Sequence, residues 1–212
     1  MIDTVSAAIR AILFDFGGVI AEEGFYDGLK QIALEQGLNP EPLPQLGVDA
    51  MYASGYVIGH GSEQAFWRQL RRSAGIKGRD VDLREQILSR FQVRDWSLKL
   101  VGKLHTAGYR TALLSDHTDW LDRLDAETGF MQHFDRVFVS YRLGKGKRDA
   151  SLFDEVTDAL GIHPSQAVFI DDNPGHVERA NSRGLHAILY LGHNELVAAL
   201  SSLLAATNSP SM

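Results

Sequence analysis

One stretch, Ala11-Ile12-Leu13-Phe14-Asp15-Phe16-Gly17-Gly18-Val19-Ile20, limits the fold more than any other. Four apolar residues run without alternation into a carboxylate, and two glycines follow at once. A strand covered on both faces is continuously apolar, so the run reads as a buried strand of a parallel sheet. Asp15 then stands at its carboxyl end, where open parallel sheets bind their ligands. The glycines let the backbone turn sharply and approach a ligand.

Apolar runs of the same kind recur at Tyr109–Leu114, Val137–Ser140, Ala167–Ile170 and Leu185–Leu191. Helical patterns separate them. Leu98, Val101 and Leu104 lie on one face of a helix capped by Asp95 or Ser97 and stopped by Gly108. Asp119 to Thr128 precedes Gly129, and Ala150 to Leu160 carries Leu152, Phe153, Val156 and Leu160 on one side. Pro174 suits the first turn of a helix ending before Gly184, and Asn194 to Leu204 reads as the last helix. Tyr141 to Arg148 reads as a basic, glycine-rich loop. Strands alternating with helices predict an α/β fold with a doubly wound parallel sheet, a Rossmann-like core.

Between the first strand and Asp95 lies a long excursion with helical spacing. Leu29, Ile32 and Ala33 mark a helix over Tyr26–Gln36, with Gly37 as its stop. Asn39 to Pro44, with three prolines, reads as a loop, and Met51 to His60 has no clear period. Ser62 opens a helix bearing Ala65, Phe66, Gln69 and Leu70, and Leu83 to Phe91 offers another. The predicted organisation is a core of residues 1–20 and 96–212 with an inserted α-helical cap over 21–95.

The chain of 212 residues is long enough for a substantial core. A net charge of −6 argues against a nucleic-acid partner. There is no cysteine, which excludes thiol chemistry and fits a reducing compartment. No apolar run approaches the ~20 residues of a membrane span. Met1 to Arg10 has Asp3 and no apolar core, so it does not read as a secretory leader, and Thr207 to Met212 is a polar tail. The expected location is the cytoplasm, with no membrane partner.

Four strands end in reactive polar residues: Asp15, Ser115, a lysine after the third strand, and Asp171-Asp172. In a parallel sheet these ends share one edge. Their order along the chain resembles the haloacid dehalogenase (HAD-like) superfamily of hydrolases. "ILFDFGGVI" looks like its first motif, "ALLSD" its second, "SYRLGKGKRDASLF" its lysine-bearing loop, and "VFIDDNPGHVERANSRGLHAI" its fourth. The helical insertion resembles the small cap of one subfamily.

The resemblance implies a Mg2+-dependent phosphatase acting on a small phosphorylated metabolite. Asp15 would attack phosphorus and form an aspartyl-phosphate, splitting one hard step into two. Asp15, the carbonyl of Gly17 and Asp172 would hold Mg2+, with Asp171 a further ligand or an orienting group. Ser115, Asp116 and Gly18 would meet the substrate, Ser115 through a phosphoryl oxygen. Lys147 would pair with Asp15 and the phosphate. Lys145 is a rival, and Lys147 is preferred because its spacing to Asp149, Leu152 and Phe153 matches the family.

Three positions depart from that family. A second aspartate usually follows the nucleophile by two residues, as acid and base for the leaving group; here the position is Gly17. Glu22, Glu23, His60 and His117 have the right chemistry to replace it, and a leaving group of low pKa would need less help. His176 stands where Asp or Asn is usual, and could make metal affinity pH-dependent. Arg148 replaces a common proline.

Rival readings are a metal-independent 2-haloacid dehalogenase, a phospho-acceptor signalling domain, and a catalytically weakened binding protein. The adjacent Asp171 and Asp172 argue against the first, since clustered carboxylates want a cation. In the second the acidic pair tends to follow the first strand, the reverse of the order here. Substrate identity and oligomeric state are not legible.

Overall fold

A computed structural model describes residues 8–208. Of the amino-terminal stretch, Met1–Ser6 and Ala7 lie outside the described residues, as do positions 209–212 of the polar tail. Five parallel strands form one sheet in the order β3-β2-β1-β4-β5. They are β1 (Ala11–Phe14), β2 (Arg110–Ser115), β3 (Arg136–Val139), β4 (Ala167–Asp171) and β5 (His186–Leu189). The helices are α1 (Gly24–Glu35), α2 (Leu43–Ala53), α3 (Glu63–Ala74), α4 (Asp80–Leu88), α5 (Asp95–Thr106), α6 (Trp120–Thr128), α7 (Ser140–Leu143), α8 (Ser151–Leu160), α9 (Pro174–Ser182) and α10 (His193–Asn208).

The expected doubly wound α/β core is present. β1 and β4 are buried at every residue, as unbroken apolar runs require. Alternate residues feed two cores. Ile12, Phe14, Leu113 and Ile170 pack on one face with Val101 and Leu104 of α5 and Leu196 and Leu200 of α10. Leu13, Leu114 and Phe169 pack on the other with Leu152, Phe153 and Val156 of α8 and Ala180 of α9. The chain crosses from β3 at one side of β1 to β4 at the other, so the ligand crevice opens beside the end of β1.

Helices α1 to α4 lie between β1 and α5 in the chain, and their apolar residues belong to the first of these cores. Trp120 of α6 sits at the centre of that contact. Its ring lies 6.0 Å from Tyr56, 6.0 Å from Phe66 and 5.9 Å from Trp67.

Several boundaries differ from those expected. The proline stretch is a loop only to Pro42. α2 begins at Leu43 with Pro44 in its first turn, where a missing N–H costs nothing. The unplaced segment from Met51 contains the end of α2 and a 3-10 turn, Tyr56–Ile58, between Gly55 and Gly59. α4 starts three residues before Leu83, at Asp80. The basic loop opens with one helical turn, α7, because Ser140 leaves the strand.

Candidate active site

Register brings the strand ends together. Phe14 pairs with Leu113 of β2 and Ile170 of β4, so the next residue, Asp15, stands beside Asp171. The Asp15 N–H donates to the Ile170 carbonyl at 2.9 Å, continuing the ladder one residue past β1. Asp15 Oδ1 accepts the Phe16 N–H at 2.7 Å and lies 2.8 Å from Lys147 Nζ.

Lys147 is the lysine that reaches this edge. Its Nζ also lies 2.6 Å from Asp171 Oδ2, and it sits 5.6 Å from the Phe169 ring centroid. Its backbone is held on both sides. The N–H donates to the Asp116 carboxylate at 2.8 and 3.1 Å, and the carbonyl accepts from Arg179 Nε at 2.8 Å. Lys145 faces away, bonding Ser151 at 2.9 Å and pairing with Glu155.

Asp171 is fully engaged. Oδ2 takes Lys147, Oδ1 takes the Asn173 N–H at 2.8 Å, and His176 Nδ1 lies 3.2 Å from both oxygens. Burial would raise its carboxyl, but the Lys147 ammonium and His176 outweigh that and hold it well below the usual range. Ligand atoms of Asp15, Asp171 and His176 lie within 4.8 Å of one another, close enough to hold an ion.

Asp172 packs against the turn after β1. A Cβ at Gly18, whose φ is +76°, would fall 2.0 Å from Asp172 Oδ2, so only glycine fits there. The turn is tied down from outside: Arg94 donates to the Gly18 carbonyl at 2.6 Å and Ser97 to that of Ile20 at 2.9 Å. Neither anchor carries a motif signal, because both act on backbone carbonyls that any sequence supplies.

Ser115 is buried at the end of β2 and, with Asp15, Gly17, Asp116, Lys147, Asp172 and His176, lines a cavity of about 220 Å3. Asp116 gives its carboxylate to the Lys147 N–H and to the Tyr52 hydroxyl, which donates to Oδ2 at 2.5 Å. Tyr52 closes the opposite wall from α2 and carries the Arg148 guanidinium 3.6 Å above its ring. Burial and the adjacent Asp116 push the Tyr52 hydroxyl far above its ordinary value. Tyr52 lies in Met51 to His60, whose lack of a readable period left its residues without an assigned role.

The cavity is electrostatically lopsided. Burial pushes the Asp15 carboxyl well up; Lys147 pulls it down, and Asp171 and Asp172 push it up again. Burial and Asp171 raise Asp172 as well. Burial lifts Glu23, also in the lining, to about 7. Burial pushes His117, packed against Phe16 and Phe91, down to about 4. Glu22 is exposed and paired with Arg94, and His60 is exposed. The arrangement can present one oriented carboxylate beside a fixed ammonium, in a cavity where Asp15, Glu23, Asp116 and Asp172 face Lys147, Arg148, Arg179 and two histidines.

Known proteins share this plan. The family model described as "haloacid dehalogenase-like hydrolase" matches residues 9–182. Flavin mononucleotide hydrolase 1 of Arabidopsis thaliana is 27% identical over 138 residues, 64% of this chain and only 56% of that protein. Phosphoserine phosphatase of Thermus thermophilus is 26% identical over 199 residues, 84% of this chain and 80% of that protein. A HAD family enzyme of Bacteroides thetaiotaomicron superposes with a TM-score of 0.70 at 22% identity, covering 88% of this chain and 96% of that one. A second structure of that enzyme holds magnesium and inorganic phosphate. With the strand-end residues assembled and the family model spanning most of the chain, the protein belongs to the haloacid dehalogenase-like hydrolases.

Proposed function

We propose that the protein is a Mg2+-dependent phosphatase that hydrolyses a small phosphorylated metabolite through an aspartyl-phosphate on Asp15. The observation that carries this reading is the 2.8 Å contact of Asp15 Oδ1 with the buried Lys147 Nζ inside a carboxylate-rich cavity. With Oδ1 held by Lys147 and the Phe16 N–H, Oδ2 is left to attack phosphorus. Lys147 balances charge on the transferring phosphoryl group, and Ser115 donates to one of its oxygens. The inserted helices, with Tyr52 at the wall, act as a cap that excludes water and selects the substrate.

The residues present fit a hard cation. Asp171 and Asp172 raise Asp15, Asp171 raises Asp172, and Asp172 raises Glu23, a mutual repulsion that a cation among them would relieve. Asp15, the Gly17 carbonyl and Asp172 would hold Mg2+, an all-oxygen set that suits it. When bound, the ion supplies Lewis-acid polarisation of the phosphoryl oxygens. Asp171, already taken by Lys147, Asn173 and His176, acts here by fixing the lysine. The same crowding of Asp15, Asp171 and Asp172 speaks against metal-free dehalogenation.

Among the described residues no helix is long and apolar enough to cross a membrane. The cysteine-free composition fits a reducing compartment and the net charge of −6 argues against a nucleic-acid partner, so a cytoplasmic location without one belongs to this reading.

Release of phosphate from p-nitrophenyl phosphate tests the proposal. Turnover that needs both Mg2+ and Asp15, and is lost in chelator and in Asp15→Asn, supports it. Folded protein that releases no phosphate from any phosphomonoester sinks it.

A further inference from the structure

We propose that Glu23 is the catalytic acid and base of this site, standing in for the side chain that position 17 lacks. This rests on the phosphatase reading above.

The backbone does not explain why residue 17 is glycine, since Gly17 is not among the glycines with positive φ. The space explains it. A Cβ at Gly17 would come 3.0 Å from Glu23 Oε2 and 3.4 Å from Phe91 Cε1. The Glu23 carboxyl therefore stands in tight contact with the point from which a side chain at 17 would start. A carboxyl reaching the site from position 17 and the glutamate would approach it from the same side.

The chain path puts it there. After the turn, Gly17 bridges Ala21 and Ala21 bridges Val93, while the Glu22 N–H donates to the Gln92 carbonyl at 2.9 Å. This short paired segment folds Glu23 back over Gly17 where the chain enters α1. The Phe25 and Tyr26 N–H groups each donate to Glu23 Oε1 at 3.2 Å. One oxygen is thus fixed by the helix start, and Oε2 is the oxygen toward position 17 in the cavity shared with Asp15 and Asp172.

The other three residues weighed from the sequence, and Asp171, do not compete. Glu22 is paired with Arg94 outside the cavity lining, and His60 is likewise outside it. His117 is wedged between the rings of Phe16 and Phe91, at 5.9 and 5.3 Å. Asp171 is taken by Lys147 and Asn173.

In the first step Asp15 Oδ2 bonds to phosphorus and the ester P–O bond breaks. Its electron pair goes to the leaving oxygen, which takes the proton from Glu23. In the second step the Glu23 carboxylate takes a proton from water as the water oxygen bonds to phosphorus. The P–O bond to Asp15 then breaks, restoring the aspartate, the protonated Glu23 and free phosphate. With a proton donor in place, the substrate need not carry an acidic leaving group.

The experiment compares wild type, Glu23→Gln and Glu23→Ala on a series of aryl phosphates from p-nitrophenyl to phenyl, with Mg2+. Gln keeps an oxygen for the α1 N–H groups, so folding is preserved. The Glu23→Gln loss in kcat/KM is expected to be about threefold for p-nitrophenyl phosphate and about a hundredfold for phenyl phosphate, within the range of general acid catalysis. The variant should also release a burst of p-nitrophenol, with phosphorylated protein accumulating in its intact mass because the second step lacks its base. Adding Gly17→Asp to Glu23→Ala should restore at least about tenfold of the phenyl phosphate activity. Equal losses across the series, or no loss, with no burst and no rescue, overturn the role of Glu23 while leaving the phosphatase reading intact. A wild type that turns over no aryl phosphate removes both.

Discussion

The Lys147 ammonium lies 2.6 Å from Asp171 Oδ2, in a pair whose side chains are 1% and 0% exposed. Removing one member leaves the other as a buried charge, and that costs more than the pair itself contributes. Lys147→Met should therefore lower unfolding free energy by roughly 3–5 kcal/mol, read by urea denaturation. Asp171→Asn should cost less, because Lys147 keeps Asp15 as a partner at 2.8 Å. Equal stability of Lys147→Met and wild type would show that the pair is not a buried charge pair in solution.

Mg2+ should stabilise the folded chain by mass action. At a hundredfold excess over Kd, the gain is about 2.7 kcal/mol. Thermal melts with and without Mg2+ should separate for the wild type and nearly coincide for Asp172→Asn. A full shift in Asp172→Asn would remove this residue from the ligand set.

Two partly buried groups give opposite pH slopes to stability. Burial lowers His117 from 6.5 to about 4 in the folded protein. The unfolded chain binds that proton first, so the contribution of His117 is complete above 6.5 and is lost as pH falls toward 4. Glu23 is raised from 4.5 to about 7, so its contribution is complete below 4.5 and is lost as pH rises toward 7. Each slope is at most about 1.4 kcal/mol per pH unit. Between about 4.5 and 6.5 they offset one another. Relative to wild type, His117→Gln should become less stable as pH rises across that window, and Glu23→Gln more stable. Parallel curves for all three proteins would contradict both shifts.

The Tyr52 hydroxyl ties α2 to the carboxylate that holds the Lys147 N–H. Tyr52→Phe should cost about 1.5–3 kcal/mol, the usual loss for a hydrogen bond to a charged group. Hydrogen exchange of the Lys147 amide should speed up in the variant. Unchanged protection would mean that Asp116 holds the loop without help from α2.

Gly18→Ala should be far more damaging than Gly37→Ala, although both glycines have positive φ, at +76° and +67°. The backbone cost of about 1–2 kcal/mol is common to both. A Cβ at Gly37 meets nothing within 4 Å, whereas one at Gly18 meets Asp172 Oδ2 at 2.0 Å. Gly18→Ala should also weaken Mg2+ binding, seen as a smaller thermal shift. Equal effects of the two substitutions would mean that the turn after β1 relaxes freely.

The sequence by itself determined the sheet, the strand ends and the family. Those signals are local: unbroken apolar runs, 3.6-residue spacing and glycine stops are written into consecutive residues. Loop and helix starts were less legible where proline is tolerated, as at Leu43–Pro44. Tertiary structure decided which of two nearby lysines reaches Asp15, because β-strand register and the grip of Asp116 and Arg179 on the backbone aim Lys147 inward. It also decided that Glu23, alone among the four residues weighed for proton transfer, lies against Gly17. That proximity depends on backbone pairing of Gly17 with Ala21 and of Ala21 with the distant Val93, through N–H and C=O groups that carry no side-chain signature. Chemistry that resides in side-chain type was readable along the chain; chemistry that depends on distance between segments required the fold.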